Sequence, residues 1–264
     1  MPMNNRLLVP RSTTRGLLDL VPGAAAAYSL RSLKDSYTDP VVTVRRSSDN
    51  TEEDFTATEV ADGTLAAFCG AGDGFVKQWW DQSGNANHAS QTTAGYQPKI
   101  VSSSVVILED GQPAIQFDGI DDRMAFTTSP ISQPVTIINV VTGTIGNSQY
   151  YYDGVVSSGR YAIVTNPTQR AVWCNSGALV TIQPATGIHV DFSVFDGSAS
   201  YVSTNGVIVT ASLGSTTFSG LNISARYSNT EFSGLAWHSL IVYPSDQTAN
   251  RELIEGQIAW SYSV

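Results

Sequence analysis

The run WWDQSGNANHA at 79–89 gathers the side chains that hold sugars: two indoles, a carboxylate and three carboxamides, two of them asparagines, beside one of only three histidines. Indole faces cover the apolar face of a sugar ring, while amides and carboxylates take its hydroxyls. Neighbours on a strand point to opposite faces, so Trp79 and Trp80 cannot serve one ligand together. The spacing therefore predicts one core indole and, on the other face, a contact set of Trp80, Asp81, Asn85 and Asn87. The same residue types also tie a tight turn to its own backbone. On residue types alone the structural corner comes first and the sugar contact second.

Cleaving a glycoside takes two carboxyl groups, about 5–5.5 Å apart for retention or about 6.5–9.5 Å for inversion. Asp81, Glu109, Asp118, Asp121 and Asp122 fall near turns, but their spacing pairs no two across a cleft. No catalytic residue is assigned on that basis. FDGIDDR at 117–123 brings Asp118, Asp121 and Asp122 together, either as oxygen ligands for Ca²⁺ or as the holders of a turn; no metal is assigned. His88, His189 and His238 lack the Cys/His spacing of a zinc site, and the last two are expected mid-strand on an outer or partly buried face. No phosphate-cradling loop or serine elbow is present, so no cofactor is expected.

The chain has 264 residues, only 14% of them charged, with a net charge of -9. Such a surface lacks the clustered cations that nucleic acid or anionic lipid requires, and it suits neutral sugars or other proteins. No apolar run reaches the ~20 residues of a membrane span. Cys69 and Cys174 are too few for a disulfide framework and are expected as buried free thiols. The opening MPMNNRLLVPRSTTRG has no apolar signal region, so the expectation is a chain that uses no ordinary secretion signal.

What positions these residues is mostly strand. Residues 1–22 read as an extended arm and 23–264 as one domain. GAAAAYSLRSLKDSY (23–37) predicts a short helix from Ala26, Leu30 and Leu33, and DGTLAAFCGAG (62–72) a second. From 111 onward alternation dominates. PVTIINVV is a buried strand, GIHVDFSVF puts Ile188, Val190, Phe192 and Val194 on one face, and Leu235, Trp237, Ile241 and Tyr243 are expected on one side of theirs. Asn205-Gly206 supplies the positive-φ pair of a two-residue hairpin. A closing helix is expected near 246–258. The fold class is all-β: a two-sheet antiparallel sandwich with a few short peripheral helices.

WWDQSGNANHASQTTAGYQPKIV, GQPAIQFDGIDDRMAF and the stretch from STNGVIVT to QIAWSYS resemble, in this order, the concanavalin-A-like (laminin-G-type) jelly-roll domains. The upstream AAYSLRSLKDSYTDP to GFVKQWWDQSGN is similar to the start of the catalytic domain of α-L-arabinofuranosidases, and more so to a module of bacteriophage and prophage virion proteins. The arabinofuranosidase family places its nucleophile after adjacent cysteines in an Asp-Tyr-Gly-Asn-Ala-Glu run. This sequence has neither, nor room for that family's arabinose-binding trefoil.

The resemblance therefore implies a jelly-roll scaffold without the chemistry: a non-enzymatic virion protein (capsid decoration or cement, head fibre or tail-associated) on the surface of a phage particle. Its expected partners are other virion proteins, reached through the N-terminal arm, in a homotrimer, without nucleic acid or membrane insertion. Two alternatives stand beside it: a carbohydrate-binding adhesin whose partner is a host glycan, and an arabinofuranosidase-like glycoside hydrolase.

Overall fold

The computed structural model describes residues 15–143, 149–166, 169–175, 180–182 and 187–262. Most of the alternating segments pair as antiparallel strands in two layers. The first sheet runs Val207–Thr210, Tyr201–Thr204, Ile188–Phe195, Val135–Thr142, Ala236–Tyr243. On the free edge of that last strand, Ala26–Ser29 and Ile115–Gln116 pair one after the other. The second sheet runs Glu52–Phe55, Val42–Arg46, Gly74–Trp79, Ala89–Ser90, Met124–Ile131, Phe218–Ile223, Gln149–Gly154, Tyr161–Asn166, Gln169–Cys174, Val180–Ile182. Strand Lys99–Ser102 pairs with both layers and joins them along one side. The all-β sandwich expected from the alternation is what forms.

Between the layers lies the main core, which includes Trp79, Tyr28, Phe126, Tyr161, Phe218 and Trp237. A second apolar cluster covers the outside of the first sheet. There Ile138, Val140, Val190, Phe192 and Val194 meet Ile254, Ile258 and Tyr262 of the C-terminal helix Arg251–Tyr262, along with Leu17, Leu18 and Val21. The first sheet is thus buried on both faces, which is why Val135–Thr142 is almost uniformly apolar. Among the described residues, the outer face of the second sheet carries polar side chains such as Thr43, Gln78 and Ser90.

Several expectations are corrected. Ala26–Ser29 is a strand, not part of a helix: all four residues are buried, and its alanines let it lie flat along the edge of Ala236–Tyr243. Tertiary pairing overrides alanine's helical preference here. Residues 15–22 are not extended. Leu17–Leu20 is a one-turn helix whose Leu17 and Leu18 are buried on this chain's own sheet, and Tyr243 Oη donates to the Val21 carbonyl (2.7 Å). Residues 1–14 of the expected arm lie outside the described residues. Leu235 and Trp237 face the interior while Ile241 and Tyr243 face outward, because the register with Val135–Thr142 shifts at Val140/Val141 and flips the side chains. The closing helix starts at Arg251, after a 3₁₀ turn at Thr248–Asn250. The hairpin at Asn205 (φ 47°) and Gly206 (φ 85°) is as expected.

Candidate functional site

The two tryptophans part as the strand period requires. Trp79 is fully buried against Tyr28, ring centroids 5.6 Å apart. Trp80 faces outward, its Nε1 donating to Thr43 Oγ1 (2.9 Å) and its ring lying against His88 (4.6 Å). The other three residues of the expected contact set hold the loop. Asp81 accepts from the backbone N–H groups of Ala27 (2.8 Å), Ser83 (2.8 Å) and Asn87 (3.0 Å). Asn85 Nδ2 donates to the Ala24 carbonyl (3.0 Å) and Asn87 Nδ2 to that of Ala25 (2.8 Å). This corner therefore staples loop 81–88 to the segment 24–29; of the four residues Asp81 is buried, Asn85 is exposed, and Trp80 and Asn87 are partly buried.

FDGIDDR is also a bonded turn. Asp118 Oδ1 accepts from the N–H groups of Ile120 (2.8 Å), Asp121 (3.2 Å) and Asp122 (3.2 Å), and Asp122 Oδ2 accepts from that of Asp118 (3.0 Å). Carboxylate oxygens of the three aspartates lie within 4.8 Å of one another. Burial, then the charge of Asp118 and that of Asp121, push the Asp122 carboxyl up to about 7. Glu109 lies apart from this turn, in a two-residue strand paired with Gln112–Pro113.

The histidines correct the expectation of an outer or partly buried face, since His189 and His238 are fully buried. Burial pulls them down to about 3 and about 4, so both are neutral at physiological pH. His189 lies between the sheets beside an ion pair of Arg170 with Asp191, to which Asn139 (2.9 Å) and Thr204 (2.8 Å) add hydrogen bonds. This network is interior and structural. Cys69 and Cys174 are free and buried, and burial raises their thiols to about 11 and about 12.

The outer face of the second sheet brings together residues that no sequence motif announces. Register places Thr43, Gln78, Ser90, Ala125, Asn222 and Asp153 opposite one another in one row across six strands. Directly paired residues share a face. At the end of the row Asp153 is fully buried, and both its oxygens accept from Arg160 Nε (3.0 and 2.9 Å), with Nη2 at 2.5 Å. Asp153 Oδ2 also accepts from the Tyr227 N–H (3.1 Å). Burial raises the Asp153 carboxyl, and the Arg160 bonds oppose that rise. The Arg160 guanidinium lies over Trp173 (4.0 Å) and Tyr227 (4.7 Å). Arg226, on the following loop, flanks Tyr227 (5.3 Å) and pairs with the half-exposed Glu231 (2.8 Å). A buried carboxyl held by Arg160, a second carboxylate on a neighbouring loop and two aromatic rings are gathered at this end of the row.

Residues 19–108 match the family model of the catalytic domain of α-L-arabinofuranosidase B. Among solved structures, one similar to this chain is a mutant glycoside hydrolase family 54 α-L-arabinofuranosidase soaked with 4-nitrophenyl α-L-arabinofuranoside. The TM-score is 0.69 at 15% identity, covering 89% of this chain and 62% of that one. The chain has the fold of an arabinofuranosidase catalytic domain. An arabinofuranosidase complexed with arabinofuranosyl-α-1,2-xylobiose is also similar, with a TM-score of 0.63, 14% identity and the same coverages. The chain thus spans about three-fifths of the length of the arabinofuranosidase structures it resembles. No curated protein matches.

These findings overturn the expectation of a non-enzymatic virion component on a phage particle. What the chain is similar to is the catalytic domain of a glycoside hydrolase, the last of the three readings that the sequence offers. Absence of the nucleophile run argues from one short segment, whereas the match runs through the N-terminal segment and the scaffold. Nothing local singles out Asp153, Arg160, Tyr227 and Glu231, because their meeting depends on pairing strands some 70 residues apart, as between Asp153 and Asn222.

Proposed function

We propose that this chain is a glycoside hydrolase of the arabinofuranosidase type, which removes α-L-arabinofuranosyl units on the outer face of its second sheet. The observation that carries this reading is the catalytic-domain family match over 19–108, in a chain whose fold follows arabinofuranosidases over 89% of its length. Because the Asp-Tyr-Gly-Asn-Ala-Glu run is absent, the reaction is assigned to the carboxyls this face does offer. Asp153, whose carboxyl burial raises against the opposing Arg160 bonds, is the group this reading assigns to the leaving oxygen. Glu231, paired with Arg226 and open to solvent, acts on the sugar carbon or its attacking water. Tyr227 and Trp173, which flank the Arg160 guanidinium, wall the ring.

The test is release of 4-nitrophenol from 4-nitrophenyl α-L-arabinofuranoside. Wild type turns over, and Asp153→Asn and Glu231→Gln each lose at least about 100-fold, the lower range for removing an acid–base group. Absence of wild-type turnover sinks the activity. Undiminished turnover in both variants sinks the site.

A further inference from the structure

The first sheet ends in an open edge. Val207–Thr210 pairs with Tyr201–Thr204, and among the described residues no strand pairs with its other side. The two-residue turn at Asn205-Gly206 makes Thr204 and Val207 a hydrogen-bonded pair, and such pairs alternate along an antiparallel ladder. Val209 therefore bonds to Val202, and beyond it the Ala211 N–H donates to the Ser200 carbonyl (2.8 Å). Ile208 and Thr210, between these bonded positions, turn their N–H and C=O groups outward, away from the hairpin. Val207 and Ile208 are also half-exposed.

Open edges are commonly blunted by charge. The chain does this elsewhere: Glu52–Phe55, an edge of the second sheet, carries the exposed Glu52, Glu53 and Asp54. Val207–Thr210 has no such guard. Residues 197–225 contain no charged side chain, in a chain whose net charge is -9. A second acidic copy is repelled over most of this surface and least along that stretch. The strand is also its own complement, because an antiparallel pair about a two-fold axis asks for the same donors and acceptors from both sides.

We propose that two copies of this chain associate through Val207–Thr210, as an antiparallel edge-to-edge pair about a two-fold axis. With Val209 on the axis, Ile208 of each copy lies opposite Thr210 of the other, and the outward groups of both residues are satisfied. The first sheets of the two copies then become one continuous sheet. A contact built on 4 residues per copy is small beside the about 1,200 Å² of a standard interface, so the dimer is reversible and grows with concentration.

Sedimentation velocity from about 5 to about 200 µM reads the association, which mass action makes concentration-dependent. Wild type shifts from monomer toward dimer over that range. Ile208→Lys puts an ammonium group on each side of the pair, and Thr210→Pro removes an outward N–H that the hairpin itself does not use. Each stays monomeric at every concentration and keeps the wild-type circular dichroism; Thr210→Pro decides alone if Ile208→Lys does not fold. Val105→Lys, at an exposed valine on another strand, dimerises as wild type does. Either lysine makes the chain less negative, so a general charge effect would strengthen association in both variants. Wild type that stays monomeric overturns the proposal. So does a dimer that survives in both edge variants, or one that Val105→Lys abolishes equally.

Discussion

Replacing Asp122 by Asn isolates the electrostatic burden of the acidic turn. Its carboxyl is raised from the usual carboxylate value of 3.8 to about 7, chiefly by burial and then by Asp118. A raised carboxyl contributes stability that is fully present below pH ~4, where both folded and unfolded chains hold the proton. That contribution falls as the unfolded chain ionises and is gone once pH has risen through the folded value of about 7. At about 1.36 kcal/mol for each pH unit, a rise of that size sets a ceiling of about 4 kcal/mol. Solvent at the rim of the turn screens part of this, leaving an expectation of about 2 kcal/mol. Asn keeps an oxygen for the Asp118 N–H (3.0 Å in the wild type), so the turn itself survives. Asp122→Asn should therefore melt about 4–8 °C above wild type at pH 8 and level with it at pH 4, by calorimetry at fixed ionic strength. A variant less stable than wild type at pH 8, or an offset identical at both pH values, would refute the assignment of the raised carboxyl to burial and charge.

Three further outcomes follow from the packing. Trp79→Ala should cost about 3–5 kcal/mol in urea unfolding, because a fully buried indole leaves a cavity; a loss under about 1 kcal/mol would mean the interior collapses around the site. Arg160→Ala should cost about 3–5 kcal/mol by leaving Asp153 charged and buried, and Arg160→Met with Asp153→Asn should recover most of that in a double-mutant cycle. Leu18→Ala should cost about 2–3 kcal/mol, since the side chain fills the cover over the first sheet; thermal melting indistinguishable from wild type would mean that residues 15–21 are not docked in solution.

Much of the fold is legible because strand periodicity is local. Ile188, Val190, Phe192 and Val194 alternate with residues that face the interior, and Asn205-Gly206 carries its turn conformation in two letters. What misleads is whatever depends on partners. Ala26–Ser29 reads as helix until the edge of Ala236–Tyr243 is known, and Trp237 changes sides at a bulge that leaves no mark in composition. The site divides the same way. That Trp79 and Trp80 part company is a property of one strand. That Asp153 meets Arg160 and Tyr227 is a property of three segments, and a lone Asp in YYYDG looks like any turn residue. The polar side chains of loop 81–88 are legible as a set but not as to what they hold, because a sugar hydroxyl and a backbone carbonyl ask the same of an amide.

The helical layer over the first sheet has a practical consequence for how the molecule can be mounted. Leu17–Leu20 and Arg251–Tyr262 lie together on the outside of that sheet, and Tyr262 Oη reaches Ser239 (2.6 Å) while Tyr243 reaches Val21. Both ends of the described chain therefore leave from the back of the sandwich. A tether to a bead, sensor surface or fusion partner through either end should present the row from Thr43 to Asp153 outward, so that an immobilised molecule works with its polar face toward the medium.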